Sequence, residues 1–235
     1  MAERSSIFDM IGPVMIGPSS SHTGAVVRIG RCARQLLGED VQEARITFYN
    51  SFARTFEGHG SDRAILGGLM DFAPDDKRIK EARPLASEAG IRFAFKAMSN
   101  ASHLHPNSIR IQAEGASQTV QVLGVSRGGG LISILEVDGF SCHFNGQADT
   151  LVITARDVSG SVAFLTSIIA HEDCNIATMT VSRSARNDTA KLVLELDSAI
   201  RPLTVEYLRS VRWVQKVTYL PRPVEWEGDV SQTNE

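Results

Sequence analysis

The sequence predicts an α+β chain of two units, and three observations carry that reading. Over about the first 140 residues, strand-like and helix-like segments alternate. From Thr150 to Leu220, roughly seventy residues follow the order βαββαβ, which folds two helices onto one face of a four-stranded antiparallel sheet. Between them a glycine-rich hairpin ends close to Gly146. The expected division is therefore a first domain over 1–146, a second over 150–220, and a loosely ordered polar tail over 221–235. A chain of 235 residues with 43% hydrophobic content is long enough and apolar enough for two such cores.

The first unit opens on an apolar segment, Ser5 to Ile11, and a turn-rich loop, Gly12 to Pro18. A helix follows from Ala25, because Val26, Ile29, Cys32, Ala33, Leu36 and Leu37 recur at helical spacing while Arg28, Arg31 and Arg34 fall largely on the other face. Gly38 ends it. Ala44 to Tyr49 reads as a strand, and Asp62 to Phe72 as a helix with Ile65, Leu66 and Leu69 inward, broken by Pro74. The charged stretch Asp75 to Ala89 is expected as an exposed helix that Pro84 interrupts. Alternation then predicts strands over Ile91–Ala97, Ser108–Ala113 and Thr119–Val125, a Gly128-Gly129-Gly130 turn, a strand over Leu131–Val137, and a hairpin through Asp138-Gly139 into Phe140–Phe144. No Lys-Ser or Lys-Thr follows the glycine triplet, so it reads as a turn and not as a phosphate loop.

In the second unit the strands are expected over Leu151–Ala155, Ile176–Ser182, Ala190–Leu196 and Val214–Leu220. The helices fall at Ser161–His171 and Pro202–Ser210, with Pro202 suited to a first turn.

Charge and composition exclude several classes. A net charge of −3 supplies no basic field for a nucleic-acid backbone. No apolar run is long enough for a membrane span, and MAERSSIFDM carries charges where a signal peptide needs an apolar stretch, so a cytoplasmic protein is expected. Cys32, Cys142 and Cys174 lie far apart with no CxxC, which predicts small core residues and no metal site held by this chain.

Three segments have the composition of chemistry. Gly17-Pro18-Ser19-Ser20-Ser21-His22-Thr23-Gly24 stands directly before a predicted helix. One hydroxyl suffices to cap a helix, worth about 0.5–2 kcal/mol. Four hydroxyls and an imidazole beside unpaired N–H groups also suit a carboxylate. Glu57-Gly58-His59-Gly60-Ser61-Asp62-Arg63 again sets a histidine in a glycine-flanked turn before a helix, either simply exposed or projecting into a cleft. His103-Leu104-His105-Pro106-Asn107 precedes a strand and lacks a neighbouring carboxylate or cysteine for metal binding. Histidines in three turn-rich segments suggest acid–base chemistry on a small polar substrate. A Ser-His hydrolase competes, without a Gly-x-Ser-x-Gly elbow to support it.

These segments carry a resemblance. Ser6-Ile7-Phe8-Asp9-Met10-Ile11-Gly12-Pro13, Gly17 to Thr23, Gly58-His59-Gly60-Ser61-Asp62-Arg63-Ala64 and His105-Pro106-Asn107 resemble the beta chain of the iron–sulfur-dependent bacterial L-serine dehydratases, the L-serine ammonia-lyases. The second unit resembles an ACT domain, a βαββαβ amino-acid-sensing module of ferredoxin-like fold. The resemblance implies a two-chain lyase that converts L-serine to pyruvate and ammonia without pyridoxal phosphate, inactive without its alpha chain. It implies a four-iron four-sulfur cluster ligated by cysteines of that alpha chain and not by this one.

By the same resemblance His59, His22, Ser61 and His105 are the catalytic candidates, with His59 as the acid–base group. Ser19, Ser20, Ser21, Thr23, Asp62 and Asn107 are the candidates for substrate binding. The ACT likeness implies a homodimer, through that module or the first domain, and a regulatory amino acid near Asp157, Gly160 and Asn175, although Ser159 stands where the family often has proline. The first domain is also similar to the allosteric substrate-binding domain of some phosphoglycerate dehydrogenases. That likeness implies the alternative of a non-catalytic amino-acid or anion sensor, for which only Arg28 and Arg31 lie near the serine loop in sequence.

Overall fold

A computed structural model describes residues 15–223. The segment Ser5–Ile11, the motif from Ser6 to Pro13 and nearly all of the tail lie outside the described residues. The chain forms two compact units divided between Gly139 and Phe140.

In the first unit a mixed sheet runs in the order β2-β1-β3-β4-β5, with β1 (Glu43–Tyr49), β2 (Arg92–Met98), β3 (Ser108–Glu114), β4 (Thr119–Gly128) and β5 (Leu131–Val137). β1 is parallel to β2 and antiparallel to β3, and β3, β4 and β5 are antiparallel neighbours. Helix α1 (Ala25–Leu37) lies on one face, burying Val26, Ile29, Ala33, Leu36 and Leu37. It ends at Gly38 in the left-handed conformation that the sequence pattern anticipates.

Helix α3 (Ser61–Leu69) packs beside α1. Their approach depends on two glycines. A Cβ at Gly68 would lie 2.2 Å from the Val27 carbonyl oxygen, and one at Gly30 would lie 2.8 Å from that of Ile65. With no side chains at the crossing, the two backbones almost touch, and the N-terminal ends of both helices are drawn together.

Three local features depart from expectation. The serine-rich segment is not a plain loop, because Ser20–Gly24 forms a π-helical turn that runs directly into α1, closed by the Ala25 N–H on the Ser20 carbonyl. A short helix, α2 (Asn50–Thr55), follows β1 where no helix was predicted. Pro84 interrupts nothing. A 3₁₀ turn, Lys77–Glu81, leads into α4 (Ala82–Glu88), and Pro84 sits in the first turn of α4, where a backbone N–H has no helical partner to lose.

In the second unit β7 (Asp149–Arg156), β8 (Ile176–Arg183), β9 (Thr189–Leu196) and β10 (Val214–Leu220) form an antiparallel sheet in the order β10-β7-β9-β8. With α5 (Ser161–Ala170) and α6 (Pro202–Ser210) the chain order is βαββαβ, and the strand order is the ferredoxin-like one. Leu151, Ile153, Leu192 and Leu194 of the strands pack with Leu165, Ile169, Val205 and Leu208 of the helices in one core. β6 (Phe140–Phe144) belongs with this unit: the Ser182 hydroxyl donates to the Ser141 carbonyl at 2.6 Å and the Lys191 ammonium lies 5.4 Å over the Phe140 ring. The division between Gly139 and Phe140 falls before β6. No helix among the described residues is long and apolar enough to cross a membrane.

Candidate active site

The three motif segments meet at one end of the first unit's sheet. β1 and β2 are parallel, so the chain leaving Tyr49 and the chain leaving Met98 emerge on the same side. β3 begins there, with Ile109 opposite Phe48, and Ser108 pairs with Val125 near the end of β4. This is the carboxyl end of β1 and β2.

The π turn presents Ser19, Ser20, Ser21 and His22 as half-buried residues and buries Thr23. Ser19 caps it by accepting the His22 N–H at 3.2 Å, and its Oγ also lies 3.3 Å from His22 Nδ1. Ser21 faces the glycine turn after β4, for a Cβ at Gly128 would come within 3.9 Å of its Oγ. The single hydroxyl that capping requires is thus Ser19, and the others stand outside that role.

Gly60 takes a left-handed φ of 68° directly before α3, which lets the chain turn sharply enough to set His59 beside the π turn. Two bonds lock the segments together: the Ser61 hydroxyl donates to the His22 carbonyl at 2.6 Å, and the Thr23 hydroxyl donates to the His59 carbonyl at 3.2 Å. The imidazoles of His22 and His59 stand 4.8 Å apart between ring centroids and 31° from parallel, and Phe52 of α2 meets His22 edge-on at 4.9 Å.

Proton placement follows from the partners. His59 Nδ1 lies 3.2 Å from the Thr55 carbonyl, which can only accept, so Nδ1 carries a proton and Nε2 of the neutral ring offers the lone pair. His22 Nε2 is buried without a hydrogen-bond partner among the described residues. Burial, and secondarily the neighbouring His59, hold the His22 pKa below the ordinary histidine value.

Asp62 is turned away from this pair. It is 5% exposed, its Oδ2 receives the Arg83 Nε at 2.9 Å, and its Oδ1 is buried with no partner among the described residues. Beside His59 opens a cavity of about 370 Å³ lined by Thr23, His59, Gly60, Arg63, Lys80 and Glu81, with Ile16 to Pro18 and Ile79 completing the wall. Lys80 was missed in the sequence because an isolated charge in a charged stretch looks like solvated surface, and Arg63, though part of the Gly58–Ala64 motif, was given no role there. The two arginines singled out earlier are engaged elsewhere: Arg28 donates to the Gly130 carbonyl at 2.8 Å and Arg31 pairs with Asp71 at 3.1 Å.

Among the described residues His105 shares no hydrogen bond or ring contact with the pair, and α2 links its loop to them. Its Nδ1 accepts the Asn107 N–H at 3.1 Å, which leaves Nε2 as the protonated nitrogen of the neutral ring. Burial, with Arg127 nearby, lowers its pKa. The Ser108 hydroxyl donates to the His105 carbonyl at 2.8 Å, the Ser126 N–H to the Asn107 carbonyl at 3.0 Å, and Leu104 packs against Tyr49, Ala101 and Leu123. His103 is exposed.

In the second unit Asp157 is occupied by the loop after β8, accepting the Asn187 N–H at 3.0 Å and Arg183 Nη1 at 3.2 Å. Gly160, with φ 80°, leads into α5. Asn175 donates to Asp197 at 3.2 Å. Asp157 follows the last residue of β7, whereas Asn175 precedes β8 where Ile176 pairs with Leu196, itself opposite Asp149 at the start of β7. A whole strand, about 23 Å at 3.3 Å per residue, separates them, so one copy cannot close both on the same amino acid.

The residues present do not fit an iron–sulfur cluster. Cys32, Cys142 and Cys174 are buried singly, and burial pushes the Cys32 thiol up to about 12, far from the thiolate a metal needs. Among the described residues no three histidine, cysteine or carboxylate side chains are grouped as a metal site.

The sequence profile described as serine dehydratase beta chain matches residues 6–136. The chain belongs to the serine dehydratase beta-chain family. A probable L-serine dehydratase beta chain of Bacillus subtilis (strain 168) is 38% identical over 213 residues, 91% of this chain and 96% of the relative. The L-serine dehydratase beta chain of Peptoniphilus asaccharolyticus is 31% identical over 214 residues, 91% of this chain and 95% of the relative. The D-3-phosphoglycerate dehydrogenase of Bacillus subtilis is 27% identical over 198 residues, covering 83% of this chain and 37% of that enzyme. The profile ends inside β5, so the serine dehydratase beta-chain signature lies in the first unit, with all three histidine segments inside it.

Proposed function

We propose that the chain supplies the proton-transfer wall of an L-serine dehydratase, completed by an alpha chain, which converts L-serine to pyruvate and ammonia. The observation that carries the reading is the His22–His59 pair, locked by two reciprocal bonds between the π turn and the start of α3. Loss of the α-proton and of the β-hydroxyl as water gives aminoacrylate, which tautomerises to the imine and is hydrolysed to pyruvate and ammonia. His59 Nε2, the nitrogen left with a lone pair by the Thr55 bond, takes the α-proton. The hydroxyls of Ser20 and Ser21 and the ring of His22 orient the substrate. Ser19, Ser61 and Thr23 act on the pair through the bonds that hold it, while His105 and Asn107 form the wall beyond α2.

The four-iron four-sulfur cluster of this reading is held by cysteines of the alpha chain, where it would supply a Lewis acid for the departing hydroxyl. No residue of the present chain is assigned to it. The second unit is assigned to assembly with a second copy and to amino-acid sensing, and the whole enzyme to the cytoplasm.

His59→Ala in a reconstituted complex tests the central role. The expected outcome is a loss of turnover of about 10²–10⁴-fold. Activity within about threefold of wild type, roughly 0.7 kcal/mol in the barrier, overturns it.

A second reading, a non-catalytic anion or amino-acid sensor, is favoured by the match to phosphoglycerate dehydrogenase and by Arg63 and Lys80 on the cavity beside His59. Calorimetry of this chain with L-serine and with inorganic phosphate, beside a reconstitution that yields no pyruvate, would establish it.

A further inference from the structure

β1 turns into α2 at Asn50, a half-buried residue with a left-handed φ of 50°. Asparagine enters that region more readily than other residues that carry a side chain, which accounts for its backbone. Its amide does something else. Asn50 Oδ1 accepts the Ala101 N–H at 2.9 Å, and Nδ2 donates to the Ala101 carbonyl at 2.9 Å and the Leu104 carbonyl at 3.2 Å, with the His105 carbonyl at 3.5 Å. One residue on, the Ser51 N–H donates to the Pro106 carbonyl at 2.9 Å. The first turn of α2 therefore grips the loop that carries His105.

The rest of α2 faces the other two histidines. Phe52 meets the His22 ring, and the Thr55 carbonyl accepts both the His59 N–H at 3.0 Å and its Nδ1 at 3.2 Å. A helix of six residues thus touches all three histidine segments.

We propose that Asn50 is a positioning residue, whose side-chain amide fastens the 101–105 loop to α2 and so sets where His105 stands relative to His22 and His59. This rests on the reading of the three histidines as one active site. The amide suits the task because it donates and accepts at once, whereas a carboxylate could hold the Ala101 N–H but would face the carbonyls with negative charge.

The test is Asn50→Gly, which keeps the left-handed backbone and removes the amide, with Asn50→Asp as the second variant. In the isotope-labelled full chain, the His105 ring titration is followed by NMR, with exposed His171 of the second unit as the internal reference. The expected result in Asn50→Gly is a His105 midpoint moved upward, as the loop loses the burial that lowers it beside Arg127, whereas Asn50→Asp, whose added carboxylate raises a nearby histidine by itself, is read by kcat alone. In the reconstituted complex kcat for L-serine falls about tenfold or more while KM changes less than about threefold. A folded Asn50→Gly chain whose His105 titrates as in wild type overturns the proposal. A moved titration with kcat unchanged, together with full activity in His105→Ala, leaves the clamp standing and overturns the placement of His105 in the active site.

Discussion

Gly68→Ala puts the close crossing of α1 and α3 to a quantitative test. The new methyl would lie 2.2 Å from the Val27 carbonyl oxygen, 2.9 Å from Gly30 Cα and 3.0 Å from the Arg31 nitrogen. Non-bonded carbons sit about 3.5–4.0 Å from their neighbours, so the helices must part by on the order of 1 Å. All three obstructing atoms are backbone, and no side chain can rotate to make room. Overpacking of this kind costs about 1–3 kcal/mol. The usual helix gain of alanine over glycine, near 1 kcal/mol in a helix interior, is reduced here because Gly68 is next to the end of α3. A net loss of about 2 kcal/mol lowers Tm by about 4–8 °C for a protein of this size. The same separation lengthens the 2.6 Å bond from Ser61 to the His22 carbonyl, and a 1 Å misplacement costs turnover on the order of 10²-fold. Thermal unfolding followed by circular dichroism, and pyruvate formation by the reconstituted complex, read the two effects. Gly67→Ala is the control, since its methyl would meet the Ile79 side chain at 3.1 Å, a group that can shift. A Gly68→Ala protein that melts at or above wild type, or no lower than Gly67→Ala, refutes the reasoning.

The lowered pKa of His22 makes stability depend on pH with a definite sign. Between the depressed folded value and the ordinary value near 6.5 the unfolded chain binds more protons, so the stability tied to this group is complete above about pH 6.5 and is lost as pH falls through the folded value. Urea midpoints measured from about pH 7.5 to about pH 5 should fall more steeply for wild type than for His22→Asn, and equal slopes would contradict the assignment. Arg83→Ala leaves the buried Asp62 carboxylate without its cation; because Arg83 is itself about half exposed, the expected loss is about 1–2 kcal/mol rather than the full cost of an orphaned buried charge. Adding Asp62→Asn should restore at least half of it, and a double variant no more stable than Arg83→Ala rejects the pairing.

The elements with enough length to show a period were legible in the sequence. α1 begins at Ala25 and stops at Gly38 as its apolar spacing requires, and Pro202 to Ser210 is read to the residue. α2 was not legible, because NSFART is too short to show a period and its first turn is held by bonds to residues about fifty positions away. The three histidine segments stood out by composition. The meeting of the His22 and His59 segments did not, because it depends on Gly30 and Gly68, which local propensity counts only as poor helix formers. Asp62 stood out by its motif, but its pairing through Oδ2 with Arg83 on another helix did not. Asp157 and Asn175 flank one helix in sequence yet lie a strand apart in space, since α5 returns the chain to the opposite end of β7.

The shortness of α2 has one more consequence. Six residues cannot sustain a helix in water, so α2 exists because its neighbours hold it. Its order is on loan from the segments it supports: the 101–106 loop stabilises its start, and the His22 and His59 segments stabilise its end. A fluctuation that releases any one of them weakens the hold on the other two. The three histidine segments and α2 are therefore mutually dependent, and each holds its place through bonds to the others.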